Sequence, residues 1–269
     1  MDTNLFYLMV LLITGAGIGF ASGLLGVGGG FIMVPVLYWL MTSMGIDPTI
    51  ALRVSLGTSL AVILPTALSG ALGHHRRNAV LIRPTLYIAS TGIIGGILGG
   101  IIATNIPGDL LKTIFGFAVI LVALIMVIVK YPEIQENPLD KPIYFLIGGL
   151  FIGLMSGMLG VGGGFIIVPF MVLLMKYDIH KAVGTSAAVI VFTSIGGIIS
   201  YIFNGIGVSG LPPYSLGYVN LLQFAVLAIL SIPMAQLGVK AAHGLPSKQL
   251  KYVFVAVLVY VGLNMIGII

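Results

Sequence analysis

The sequence predicts an all-α polytopic membrane protein of two inverted structural repeats. Each repeat is a broken or re-entrant helical hairpin followed by three transmembrane helices. Of the 269 residues, 59% are hydrophobic and 7% charged, with a mean hydropathy of +1.19, whereas soluble domains carry about 25% charged residues. Several apolar runs approach the ~20 residues that a helix needs to cross ~30 Å of hydrocarbon. One glycine-rich segment is written twice: Gly19 to Leu37 reads GFASGLLGVGGGFIMVPVL and Gly153 to Met171 reads GLMSGMLGVGGGFIIVPFM, identical at thirteen of nineteen positions without a gap. Alternating ten-residue segments, the mark of a membrane β-barrel, are absent.

The elements follow in order. Leu5–Ala21 is the first apolar run, and the preceding Met1-Asp2-Thr3-Asn4 lacks the basic region of a signal peptide, so it reads as mature structure. The glycine motif interrupts it, and Phe31–Met41 follows as a shorter run. Ala51–Leu72, Leu81–Thr104 and Leu110–Val129 are each long enough to span. Lys130–Lys141, with three acids, two lysines and two prolines, reads as a linker. It separates a first repeat (1–130) from a second (142–269), with 131–141 as a cytoplasmic connection. The second repeat restates the plan as Pro142–Met155, the motif, Phe165–Met175, Ala182–Phe203, Tyr218–Val239 and Gln249–Ile269. Gly57-Thr58-Ser59 is echoed by Gly184-Thr185-Ser186.

The net charge of +5 sits mostly in loops, where it signals topology rather than nucleic-acid binding. Cysteines are absent, so there are no disulfides or thiolate metal sites. The loop with His74, His75, Arg76 and Arg77 should be cytoplasmic, while its counterpart, Asn204 to Gly217, is uncharged. Conversely, the loop near Asp47 has no Lys or Arg, and its counterpart has Lys176 and Lys181. Corresponding loops thus fall on opposite sides, which makes the repeats inverted. Each motif then lies near the turn of a hairpin. The arm after the glycines runs about eleven residues, roughly 16 Å of helix, so the two tips can meet near the midplane.

Inverted repeats with broken helices meeting at the midplane are the construction of secondary transporters. The helices beginning at Phe31 and Phe165 aim unsatisfied N–H groups and a positive dipole end at the tips, a geometry that binds small anions. Ser22, Ser156, Thr58, Ser59, Thr185 and Ser186 add hydroxyls. The alternatives are plain: the glycines permit close helix packing, Pro35 and Pro169 kink their helices, and the GTS hydroxyls bond their own helix.

The seven acids, Asp2, Asp47, Asp109, Glu133, Glu136, Asp140 and Asp178, all lie at ends or in loops. Without a mid-helix carboxylate, a cation pump or metal carrier is disfavoured and an anionic substrate fits. No metal or cofactor is expected. Arg53 is a candidate for the anion pathway, against the alternative that it snorkels to the interface, and Arg83 reads as an interfacial residue. His74-His75 beside Arg76-Arg77 reads as a solvated loop, and His180 and His243 as loop residues without partners. Enzyme motifs fail on spacing: Phe31 stands where a dinucleotide fingerprint needs glycine, and the Walker pattern is absent.

The repeated S-G-x-L-G-V-G-G-G-F-I-x-V-P, each followed by a G-T-S helix, resembles the TauE/SafE sulfite-exporter family over nearly the whole chain. The resemblance implies a multi-pass permease of a bacterial or archaeal inner or plasma membrane, carrying sulfite, an organosulfonate or a related sulfur anion. Carried over by motif, the substrate-binding residues are Ser22, Gly26, Gly28, Gly29, Gly30 and Phe31 with Ser156, Gly160, Gly162, Gly163, Gly164 and Phe165, plus the two GTS triplets. The expected function is secondary transport by alternating access, with a passive anion channel or a non-transporting scaffold as alternatives. The partners are a small anion and the lipid bilayer. A homodimer is left open by the large apolar surface, and no sequence feature selects it.

Overall fold

The computed structural model describes residues 3–128 and 141–244, with scattered positions between 249 and 263. Of the expected segments, linker 131–141 (Lys141 apart) lies outside the described residues, as does most of Gln249–Ile269. The helices are α1 (Thr3–Leu25), α2 (Gly30–Ser43), α3 (Pro48–His75), α4 (Ile82–Asn105), α5 (Gly108–Ile128), α6 (Pro142–Leu159), α7 (Gly164–Pro169), α8 (Ile179–Gly205) and α9 (Leu221–Gly244). A π turn, Phe170–Leu174, continues α7. A two-stranded ribbon, β1 (Ser215–Leu216) with β2 (Val219–Asn220), sits in the loop before α9. Among the described residues, seven helices are long and apolar enough to cross a membrane, and large apolar side chains such as Ile13, Phe151 and Phe203 lie exposed on the outside. The chain is a mostly helical multi-pass membrane protein.

Capping starts the two longest helices. Asp47 Oδ1 accepts from the N–H groups of Thr49 and Ile50 at 2.9 and 3.1 Å, and Pro48 fills the first helical position, where a missing N–H costs nothing. Asp178 Oδ1 accepts from His180 and Lys181 at 2.8 and 3.4 Å. Both carboxylates also complement the positive end of the helix dipole. Two acids that read as loop residues are therefore helix caps.

Glycine faces decide how the helices pack. Gly15, Gly19 and Gly23 of α1 lie against Leu227, Ser231 and Ala235 of α9. Gly149, Gly153 and Gly157 of α6 face α4 in the same spacing; a methyl on Gly153 would lie 2.1 Å from the Gly92 carbonyl oxygen. These are backbone-to-backbone seams, the close approach that small residues permit in a membrane. Contacts in register give directions. α1 runs parallel to α9, and α4 parallel to both α6 and α8. α3 runs parallel to α9, through Thr66 against Ser231 and Gly73 against Gln236. α3 and α8 run antiparallel, with Gly57 against Tyr201 and Gly197 against Leu60.

The hairpins are asymmetric. Their outgoing arms, α1 and α6, are 23 and 18 residues long, about 34 and 27 Å. The return arms start midway: Gly28 lies against Ile63 in the middle of α3, and Gly162 against Ile190 in the middle of α8. The first return arm is 14 residues, longer than its apolar run suggested. Thr42 and Ser43 bond their hydroxyls to the carbonyls of Tyr38 and Leu40 at 2.9 and 2.8 Å and so remain helical.

Candidate functional site: two crossed hairpin tips

The same sequence folds into the same backbone twice. Gly26, Gly28 and Gly29 have φ of 65°, 79° and 76°; Gly160, Gly162 and Gly163 have 65°, 79° and 83°. These left-handed values explain why glycine stands at these three positions of each motif. The N–H of Gly26 closes on the Ser22 carbonyl and that of Gly160 on the Ser156 carbonyl, each at 2.9 Å, ending α1 and α6. The next helix begins at Gly30 and at Gly164, one residue before the Phe31 and Phe165 starts expected. Both phenylalanines are buried.

The tips cross in contact. A methyl on Gly164 would lie 2.4 Å from Val27 Cα and 2.6 Å from the Gly26 oxygen, and one on Gly30 would lie 2.7 Å from the Gly160 oxygen. Each GTS triplet fastens parts of the other half. Ser59 Oγ donates to the Gly160 carbonyl at 2.7 Å, and Ser186 Oγ to the Gly26 carbonyl at 2.6 Å. Thr58 Oγ1 accepts from Asn220 N–H at 2.9 Å and Thr185 Oγ1 from Leu81 N–H at 3.0 Å, just before α9 and α4. Gly57 and Gly184 make room for the Tyr218 and Ala79 carbonyls. The four GTS hydroxyls are thus engaged across the two halves rather than with their own helices.

This arrangement leaves the tips electropositive. Hydroxyls take the carbonyls of Gly26, Gly160 and, through Thr193 at 2.8 Å, Gly162. Among the described residues, the N–H groups of Val27–Phe31 and Val161–Phe165 make no loop or capping bond to a main-chain carbonyl. The buried hydroxyls of Ser156 and Ser194 also have no partner. Ser156 lies beside Gly163 and Ser194 beside Gly162. Unfilled donors in a buried place call for an acceptor, and an anion supplies several at once. Ser22 is buried at the first tip. Ser194 escaped the sequence reading because its counterpart in α3 is Ala67, so the repeat did not mark it.

Arg53 is half-buried one turn before Gly57. Its guanidinium donates to Tyr218 Oη at 3.3 Å and to the Ile106 carbonyl at 3.2 Å, lies 5.8 Å from the Tyr218 ring centroid, and keeps Nε buried without an acceptor. It stands close to Leu56, against which Gly160 packs. A separate cleft of about 460 Å³, lined by Ile125, Phe151, Ile166, Phe170 and Leu174 among others, is apolar and offers an anion nothing.

The histidines depart from expectation. His74 is not in a solvated loop: it occupies the last turn of α3 and is 1% exposed. Its Nε2 lies 2.9 Å from the Gly23 carbonyl and its Nδ1 3.1 Å from His243 Nε2. His180 stacks on His243 with centroids 5.5 Å apart. α3 runs 28 residues, longer than a span requires, and this extra turn carries His74 back into contact with α1 and α9. Among the described residues, no group of three His, Cys, Asp or Glu side chains is arranged to hold a metal ion.

Comparison with known proteins agrees with the motif. The family model described as sulfite exporter TauE/SafE matches residues 11–265. A probable membrane transporter protein of Haemophilus influenzae is 31% identical, covering 96% of this chain and 98% of its own. One of Methanocaldococcus jannaschii is 30% identical over 97% and 96%. No solved structure matches the chain. With a family model spanning almost its full length and relatives of the same extent, the chain belongs to the sulfite exporter TauE/SafE family, and the names of its relatives indicate a membrane transporter.

Proposed function

We propose that the chain is a secondary transporter of a small sulfur-containing anion, such as sulfite or an organosulfonate, that works by alternating access around the two crossed tips. The observation that carries this reading is the pair of tips whose carbonyls are capped by hydroxyls while the buried Ser156 and Ser194 hydroxyls beside them stand unfilled and the tip N–H groups make no loop or capping bond. Such donors bind an oxyanion without a buried cation. Sulfite and sulfonate present three oxygens, enough for N–H groups from both tips. The sulfur itself rests on the family description. Arg53, with its unfilled Nε, is the station at the mouth beside the second tip.

Alternating access follows from the inverted relation we assign to the halves. The registers of the helix contacts, in which α1 and α6, α3 and α8, and α4 and α9 run in opposite directions, support that relation. Each tip is held by the opposite half, so rocking one half against the other parts the tips toward one face at a time. The face where α3 ends and α8 begins carries His75, Arg76, Arg77, Lys176 and Lys181 and is assigned to the cytoplasm of a prokaryotic inner or plasma membrane. A cysteine at Ser209 should be labelled by an impermeant thiol reagent from outside, and one at His75 only after lysis. Equal labelling of both would sink the inverted arrangement.

A passive channel differs in kinetics. In proteoliposomes, uptake of radiolabelled sulfite is expected to saturate and to rise severalfold when unlabelled sulfite is loaded inside. Linear uptake indifferent to internal anion would identify a channel instead.

A further inference from the structure

We propose that His74, His243 and His180 form a proton-binding relay that couples proton uptake to anion binding at the first hairpin tip. The coupling half of this proposal rests on the transport reading above; the proton site does not.

The relay is written in its hydrogen bonds. A carbonyl only accepts, so the 2.9 Å contact with Gly23 puts a proton on His74 Nε2. His74 Nδ1 therefore carries a lone pair, and His243 Nε2 donates to it at 3.1 Å. That leaves the lone pair of His243 on Nδ1. His180 stacks on the same ring, and both outer histidines are partly exposed while His74 is buried. The other charged groups around the cluster are Arg77, which donates to the Val239 carbonyl at 2.7 Å, and Asp178, the cap of α8. α1 contributes the Gly23 carbonyl, α9 the His243 ring.

A proton taken from water at His243 Nδ1 releases the Nε2 proton of His243 to His74 Nδ1. His74 becomes an imidazolium donating to both sides, and His243 is again neutral, now protonated on Nδ1. One proton is bound and only N–H bonds are made or broken. The new charge sits against Gly23, whose carbonyl belongs to the last turn of α1 and lacks an intrahelical donor. A cation is favoured at that helix end, and it lies three residues before Gly26, where the first tip begins. A positive charge there raises the tip's hold on an anion, so proton and anion bind together. This supplies the coupling group that the membrane helices lack in carboxylates.

The opposite half lacks an equivalent. At the end of α6 the Met158 carbonyl is met at 3.5 Å by Tyr201 Oη, a hydroxyl that does not change charge around neutral pH. Only the end of α1 responds to protons.

The test uses His74→Gln, whose amide N–H can still reach the Gly23 carbonyl but cannot take a proton, with His243→Gln as a second variant should the first fail to fold. Methanesulfonate is the probe anion, because it is too weak a base to carry a proton itself. With purified wild type, its binding is expected to take up protons from a weakly buffered solution, read by a pH dye; in either variant, which breaks the His74–His243 bond, the uptake per anion bound should fall at least about tenfold. A second readout, independent of transport, is hydrogen exchange at residues 23–31 from about pH 3 to 7, the range to which burial moves the titration of such a histidine, corrected for the intrinsic rate. The wild type should change protection severalfold across this range and the variants should not. Matching exchange profiles, or a variant that takes up protons as the wild type does, would overturn the relay. Wild type that binds no anion but shows the exchange difference would remove the transport reading and leave the proton site standing.

Discussion

Gly164→Ala is expected to abolish anion transport while the protein still inserts and folds. The added methyl falls 2.4 Å from Val27 Cα and 2.6 Å from the Gly26 oxygen, both main-chain atoms that cannot rotate away. Val27 and Gly26 are held in turn, because Ser186 fixes the Gly26 carbonyl at 2.6 Å. The tips must therefore stand apart by an ångström or so, at an overpacking cost of about 1–3 kcal/mol. That energy is lost from the state in which both tips contribute donors, and each 1.4 kcal/mol is a factor of ten. Transport is expected to fall by at least about tenfold. Gly17→Ala is the control: its methyl meets nothing within 4 Å, so flux should be unchanged. Normal flux in Gly164→Ala would show that the crossing contact is not on the transport path.

Gly153→Ala is expected to give a large loss of stability. Gly153 lies in the seam where α6 meets α4, with Gly149 and Gly157 a turn to either side. A methyl would sit 2.1 Å from the Gly92 oxygen and 2.8 Å from Gly92 Cα. In an open helical position, alanine in place of glycine stabilises by up to about 1 kcal/mol. Here the seam has to open along its length, at a cost of about 1–3 kcal/mol or more, a large share of an ordinary folding stability of roughly 5–15 kcal/mol. The melting temperature of Gly153→Ala in detergent should fall clearly below wild type, while that of Gly17→Ala should hold or rise. Equal melting of the two variants would mean that the seam is looser than its backbone contacts indicate.

Much of this site was legible in the chain because it is written twice. The repeated GVGGG told where both tips lie, and its glycines do occupy left-handed backbone. The GTS triplets were visible as a repeat, but their use was not. Ser59 and Ser186 act on the opposite half at sequence separations of 101 and 160 residues, a distance at which no local rule operates. Ser194 corresponds to Ala67 in the repeat and so left no echo, while Thr193 is echoed by Thr66, which meets Ser231 rather than a tip. His74 was hidden by its neighbours, since HHRR has the composition of a solvated loop while its first residue belongs to the last turn of α3. The π turn after Pro169 was also unreadable in advance: Pro169 supplies no N–H, and the chain widens just beyond it, where Met175 N–H reaches the Phe170 carbonyl at 3.1 Å.

The most direct measurement is the thermal stabilisation of purified wild type and Gly164→Ala by sulfite, methanesulfonate, taurine and size-matched carboxylates. A ligand that binds the folded state raises its melting temperature by mass action. The crossed-tip account predicts that at least one sulfur oxyanion stabilises the wild type above the carboxylates, and that Gly164→Ala, folded but with a lower melting temperature of its own, loses this response. Equal stabilisation of both proteins, or a response to carboxylates alone, would contradict it.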